Sequence, residues 1–240
     1  MNKRAEFNNS AFGVEKSRHA MARMEIRLIT NERSQVRSSE VGCFPTVNAL
    51  CNTLPRNVRM HMKRVGRYAD ILYRYMAERN IENVRDKMGE EFVRYSEEIF
   101  SLHDIGRHFI PFEILNKVGG LSEEEKQIIK DHTINARKAM KGIYTQPFPD
   151  EIMEQWQEIA IYHHERFDGE GYPEGKKGEE IPIGARICAI ADTYDGIVSW
   201  KPYKKKQTTR EEAVHIIEEE AGGQFQPELV GIFKKCIDRF

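Results

Sequence analysis

The chain has 240 residues, with 37 Lys and Arg against 38 Asp and Glu, a formal net charge of -1 and 40% hydrophobic residues. That length fits one large domain, or one domain with an appendage, and the balanced charge argues against a surface built for a nucleic acid polymer, where a concentrated positive footprint is expected. Four cysteines without a CxxC pair argue against a disulfide framework or a structural zinc site, and no run approaches the ~20 apolar residues that would span a bilayer. We therefore expect a soluble chain in a reducing cytoplasm, with no membrane partner.

Residues 1–55 are read as an N-terminal extension and connector. The first forty or so are polar and charge-mixed, with a short amphipathic possibility over 20–29, and are taken as mobile or helical. Pro45 and Pro55 break the more apolar stretch that follows. The body is placed at 56–240. Within it Val58, Met62, Val65, Ala69, Leu72 and Met76 advance by threes and fours, which predicts one long helix. Phe92, Tyr95, Ile99 and Leu102 predict a second helix, ending at His103-Asp104. Ser122 with Glu125 has the spacing of a capping box, and Ile128, Ile129, His132 and Ala136 follow on one face. Ile152, Trp156, Ile159 and His163 repeat the pattern, as do Ile183, Ile187, Ile190 and Tyr194. Thr209 with Glu212 starts another helix, and Pro227 starts the last, with Leu229, Val230, Phe233 and Ile237 facing inward. No alternating strand pattern competes, so the fold class is an all-α bundle.

The most informative stretch is HHERFDGEGYP, from His163 to Pro173. Two neighbouring imidazoles can each offer a neutral nitrogen to a metal, and glycines allow a backbone to approach a bulky anion. His132 and His163 share helical faces with apolar residues and so point into the bundle, which is how metal sites in helical bundles are built. Upstream lies HDIG at 103–106; downstream lie IPIGARICAIADTYD at 181–195 and KPYK at 201–204. In this order the four pieces resemble the HD-GYP family, a branch of the HD superfamily of metal-dependent phosphohydrolases, over roughly residues 57–235.

The resemblance implies an HD-type helical bundle around a buried di-metal site. It implies that His61, His103, Asp104, His132, His163, His164 and Asp192 are the metal ligands, with Asp104 bridging. His61 and Asp192 would complete the first ion's shell with the His103-Asp104 pair, and His132, His163 and His164 would hold the second ion. Imidazole with carboxylate suits iron, manganese or zinc better than magnesium or calcium, and the resemblance favours iron or manganese. Some relatives hold a third ion through a glutamate one turn before the first histidine; Asn57 stands there, so two ions are expected.

Catalytic roles are expected for Asp104 and Arg107, and contacts to substrate phosphates for Lys117, Arg186, Lys201, Tyr203 and Lys204. Arg107 stands where the family usually has lysine, and Lys201 where it usually has arginine, so each exchanges a point charge and a bidentate fork. Val118 replaces a family proline beside Lys117. The loop carrying Asp168, Gly169, Gly171, Tyr172 and Pro173 would shape the rim of the site. The implied activity is hydrolysis of cyclic di-GMP to the linear dinucleotide, with a second cleavage to GMP left open. Two alternatives stay open: action on another cyclic dinucleotide or nucleotide, and a catalytically weak module that senses cyclic di-GMP or docks a cyclase. The resemblance implies contacts between this loop and a diguanylate cyclase domain, and an upstream signalling protein is the other expected partner.

Overall fold

The computed structural model describes residues 44–199 and 207–240, which fold as helices with no strand among them. A short α1 (Val47–Cys51) leads into α2 (Arg56–Glu78), the long helix that the periodicity predicts. Val58, Met62, Val65, Ala69, Leu72 and Met76 are all buried along one stripe of α2. Against it pack α4 (Phe92–Ser101), α9 (Ile183–Val198) and α11 (Pro227–Cys236), while α8 (Asp150–Tyr162) packs on α4 and α9. Between α2 and α4 lies α3 (Val84–Met88), and α5 (Phe112–Leu115), α6 (Glu123–Lys130), α7 (His132–Lys141) and α10 (Arg210–Glu219) complete the order.

Both expected capping boxes form. The Ser122 hydroxyl accepts the Glu125 N–H while the Glu125 carboxylate accepts the Ser122 N–H, and Thr209 with Glu212 does the same for α10. Pro227 opens α11, and Leu229, Val230 and Phe233 are buried. Val47, Leu50 and Leu54, from the stretch read as connector, belong to the same core as the helices after Pro55. No described helix is long and apolar enough to cross a membrane.

Two helix ends differ from the periodic reading, and both differences place functional side chains. The second predicted helix stops at Ser101 rather than at Asp104. There the Ser101 hydroxyl donates to the Glu98 carbonyl (2.7 Å), His103 Nδ1 to Phe100 (2.9 Å) and Trp156 Nε1 to Leu102 (3.2 Å). Side chains thus satisfy carbonyls that another turn would have used, and His103-Asp104 lie in a turn before a 3-10 segment over 105–109. The face running from Ile128 to Ala136 is likewise split at Asp131 into α6 and α7. His132 Nδ1 takes the Ile129 carbonyl (2.6 Å) and Thr133 Oγ1 takes that of Lys130 (3.0 Å).

Candidate metal centre

Seven side chains from five parts of the chain converge in the bundle. Asp104, His132, His163 and His164 form one group whose donor atoms lie within 4.8 Å of one another, and His61, His103 and Asp192 form a second under the same limit. These are the seven residues expected as ligands; Asp104, expected beside His103 and as a bridge, groups under this limit with His132, His163 and His164. α2 supplies His61, the turn after α4 supplies His103 and Asp104, α7 opens on His132, the end of α8 gives His163 and His164, and α9 carries Asp192.

Asp104 joins the groups. Its Oδ2 lies 3.4 Å from His103 Nε2 and 3.5 Å from His61 Nε2, whereas Oδ1 lies 3.1 Å from His132 Nε2 and 3.8 Å from His163 Nε2. Each carboxylate oxygen therefore serves a different half. The short approach of the 105–109 segment to α7 makes this possible, because a Cβ on Gly106 would stand 1.9 Å from the His132 carbonyl oxygen. Asp192 Oδ1 faces His61 Nε2 at 3.1 Å and His103 Nε2 at 3.9 Å.

The proton positions fit bound cations. Nδ1 of His103, His132 and His163 each meets a backbone carbonyl, at 2.9, 2.6 and 3.1 Å. A carbonyl only accepts, so each Nδ1 carries a proton and the Nε2 atoms are turned toward the centre. The Nε2 atoms of His132 and His163 face one another at 3.4 Å, close enough to share one cation. His103 Nε2 and both Asp104 oxygens are buried without a hydrogen-bond partner. Burial, with His132 adding to it, pushes His164 down to about 3, and burial with His164 holds His163 well below its usual range. Both imidazoles are neutral, as ligands must be. Burial would raise Asp104, but Arg107 and His103 outweigh it and hold the carboxyl well below normal. Burial would likewise lower His61, yet Asp104, Asp192 and Asp195 raise it to about 11. Carboxylates that hold a proton so firmly at one point favour positive charge there.

The other expected site residues fall into three groups. Arg107 reaches the centre: its Nε lies 2.7 Å from Asp104 Oδ2 with the side chain 24% exposed, an ion pair whose N–H is not aimed for a hydrogen bond. Tyr172 also reaches it, its ring stacked on His164 at 4.9 Å and its N–H donating to the His164 carbonyl. The rest of the loop is anchored elsewhere. Asp168 accepts from Arg166 (2.7 Å) and from the Glu170 N–H (2.9 Å), and donates its own N–H to Gly223. Gly169 takes φ +88°, a Cβ on Gly171 would stand 2.3 Å from Arg166 N, and the Tyr172–Pro173 peptide is cis.

Two expected phosphate contacts have other partners. The Lys117 ammonium lies 2.6 and 2.7 Å from the two Glu125 oxygens. Arg186 is buried with its guanidinium on the Gln226 carboxamide, which in turn donates to Glu82. Arg186 precedes Asp192 by six residues, about 240° around an α-helix, and so faces another side of α9. Lys201, Tyr203 and Lys204 lie outside the described residues.

The sequence reading passed over three side chains. Asp195 accepts from His61 Nδ1 at 2.7 Å and from Arg64 Nε at 2.6 Å. Asp192 and Asp195 stand three apart in ADTYD, as do His61 and Arg64 in HMKR, so helical spacing already put each pair on one face. Glu165, directly after the paired histidines, is buried and accepts the N–H groups of Glu174 (2.7 Å) and Lys176 (3.0 Å), closing the loop.

A helical bundle whose buried histidines and aspartates can hold divalent metal ions is the class that fold and site define. An HD domain family model matches residues 97–229, more than half of the chain. The chain belongs to this HD domain family, in its HD-GYP branch. It is 42% identical over 148 residues to a cyclic di-GMP phosphodiesterase of Thermotoga maritima, covering 62% of this chain and 39% of that one. It is 34% identical over 139 residues to a 3'3'-cGAMP-specific phosphodiesterase 2 of Vibrio cholerae, covering 58% of this chain and 26% of that one. The chain thus spans well under half the length of these curated relatives. Among solved structures, the HDG"Y"P protein Bd1817 from Bdellovibrio bacteriovorus shares the fold, with a TM-score of 0.53 at 15% identity over 88% of this chain and 63% of that one.

Proposed function

We propose that the protein is a metal-dependent phosphodiesterase that hydrolyses one phosphodiester bond of cyclic di-GMP to give the linear dinucleotide, with GMP as the product of a second hydrolysis. The observation that carries this reading is the Asp104 carboxylate, which turns one oxygen to each of two groups of imidazole nitrogens. The curated cyclic di-GMP phosphodiesterase of Thermotoga maritima supports the substrate. A pair of divalent ions, when bound, activates water and neutralises charge developing on phosphoryl oxygens.

His61, His103 and Asp192 would hold one ion, His132, His163 and His164 the other, and Asp104 both. The mixed imidazole and carboxylate donors favour iron or manganese over magnesium or calcium. Arg107, beside Asp104 and partly exposed, would meet a non-bridging phosphate oxygen of the substrate. Tyr172, stacked on His164, would border the substrate on that side. Lys201, Tyr203 and Lys204 are proposed to bind the substrate's phosphates. The described cysteines Cys51, Cys188 and Cys236 are free, which supports a reducing, cytoplasmic setting. A diguanylate cyclase domain or an upstream signalling protein is the proposed partner of the loop around Tyr172.

A second reading, action on another cyclic dinucleotide, is favoured by Arg107 in place of the usual lysine and by the likeness to a 3'3'-cGAMP-specific enzyme. Incubating manganese- or iron-loaded protein with a panel of cyclic dinucleotides, and resolving the products, decides between them. Turnover of cyclic di-GMP well above the others is the expected result; preference for a mixed dinucleotide selects the second reading, and no hydrolysis of any overturns both.

A further inference from the structure

Of the four metal-facing histidines with a recorded Nδ1 partner, three rest on a carbonyl three or four residues back in their own segment, and one does not. His61 Nδ1 meets Asp195 Oδ2 at 2.7 Å, across 134 positions of sequence, from α2 to α9. Asp195 is 1% exposed in its side chain and is itself held: Arg64 Nε lies 2.6 Å from Oδ1, Arg64 Nη2 2.9 Å from Oδ2, and the Ser199 hydroxyl 3.1 Å from Oδ2. Arg64 Nη2 also donates to Ser199 Oγ at 3.0 Å. His61 is the loosest of the four rings, with 19% of its side chain exposed against 0% for His103, His132 and His163. It lies beside the buried stripe of α2, with only the His103 ring packed edge-on against it among the other ligand imidazoles.

We propose that Asp195, clamped by Arg64, is the positioning residue of the His61 half of the centre, fixing His61 so that Nε2 points between Asp104 and Asp192. This rests on the metal-dependent reading above. A charged acceptor holds the imidazole in one tautomer and strengthens it as a donor to a cation, and losing such a partner usually costs about 10- to 100-fold in metal affinity. The other half depends on neutral carbonyls and is untouched by Asp195. The two halves are therefore separable, although Asp104 is common to both.

The test is a titration with Mn2+ alone, followed by electron paramagnetic resonance, on the wild-type chain, D195A, D195N and R64M, with circular dichroism as the folding control. Wild type is expected to take up two ions and show a spin-coupled pair. D195A is expected to bind one ion as wild type does and the second about 10- to 100-fold more weakly, so that an isolated-ion spectrum dominates at low Mn2+. D195N keeps an oxygen for the His61 N–H without the charge and should fall between them, as should R64M, which leaves Asp195 in place without its clamp. If D195A does not fold, the near-isosteric D195N is read on its own. Two tight ions in a folded Asp195 variant overturn the proposal, and so does equal weakening of both ions. Failure of the wild-type chain to bind Mn2+ would instead overturn the metal-dependent reading beneath it.

Discussion

At the scale of single residues, the centre depends most on Asp104. It is buried, it faces four imidazoles, and neither oxygen has a hydrogen-bond partner. Asp104→Ala is expected to bring bound metal to background and to lower phosphodiester turnover by about 10³-fold or more, since a bound ion contributes several kcal/mol of charge stabilisation. Metal analysis of the purified variant and a product assay check this, and retained metal would contradict a shared ligand. Much of this residue-level placement was legible beforehand, because His163, His164, His103 and Asp104 stand in the short motifs that carry the family resemblance. Lys117 and Arg186 were not legible in the same way. A positive charge in a motif does not say which carboxylate or amide will claim it, and here Glu125 and Gln226 do.

At the scale of elements, two connections set the geometry. The 105–109 segment lies so close to α7 that Gly106→Ala would drive a methyl into the His132 backbone. Overpacking of this kind costs about 1–3 kcal/mol, and here it would also part Asp104 from His132. We expect a lower urea midpoint together with weakened metal binding, and a variant with wild-type values for both would refute the close packing. The loop over 168–178 is closed by Glu165, whose two oxygens accept two backbone N–H groups. Glu165→Gln replaces one acceptor with a donor, strands an N–H and should cost about 1–3 kcal/mol. Limited proteolysis should cut this variant within the loop while sparing the helices. The long helices were visible as apolar stripes. Their ends were not, because Ser101, His103, His132 and Thr133 stop them through side-chain bonds that a count of apolar spacing does not register.

At the scale of the whole molecule, the interior carries donor atoms that the protein itself leaves unpaired, and ions that satisfy them bind only the native state. Such binding contributes about 2.7 kcal/mol at a hundredfold excess over Kd. Stripping metal with a chelator is therefore expected to lower Tm by about 5–10 °C for a chain of this size, and Mn2+ added back should restore it; an unchanged melt would show the centre to be thermodynamically idle. The long-range pairings, His61 with Asp195 and α1 with the main core, could not be read from local pattern, because each is decided by which helices meet.

The donors are drawn from positions 61 to 192, on helices and turns that touch only once the bundle has closed. No excised peptide, not even one carrying HHERFDGEGYP, would reproduce the centre. Acquisition of the ions thus marks the final docking of the chain's distant parts, and a half-assembled polypeptide is chemically silent.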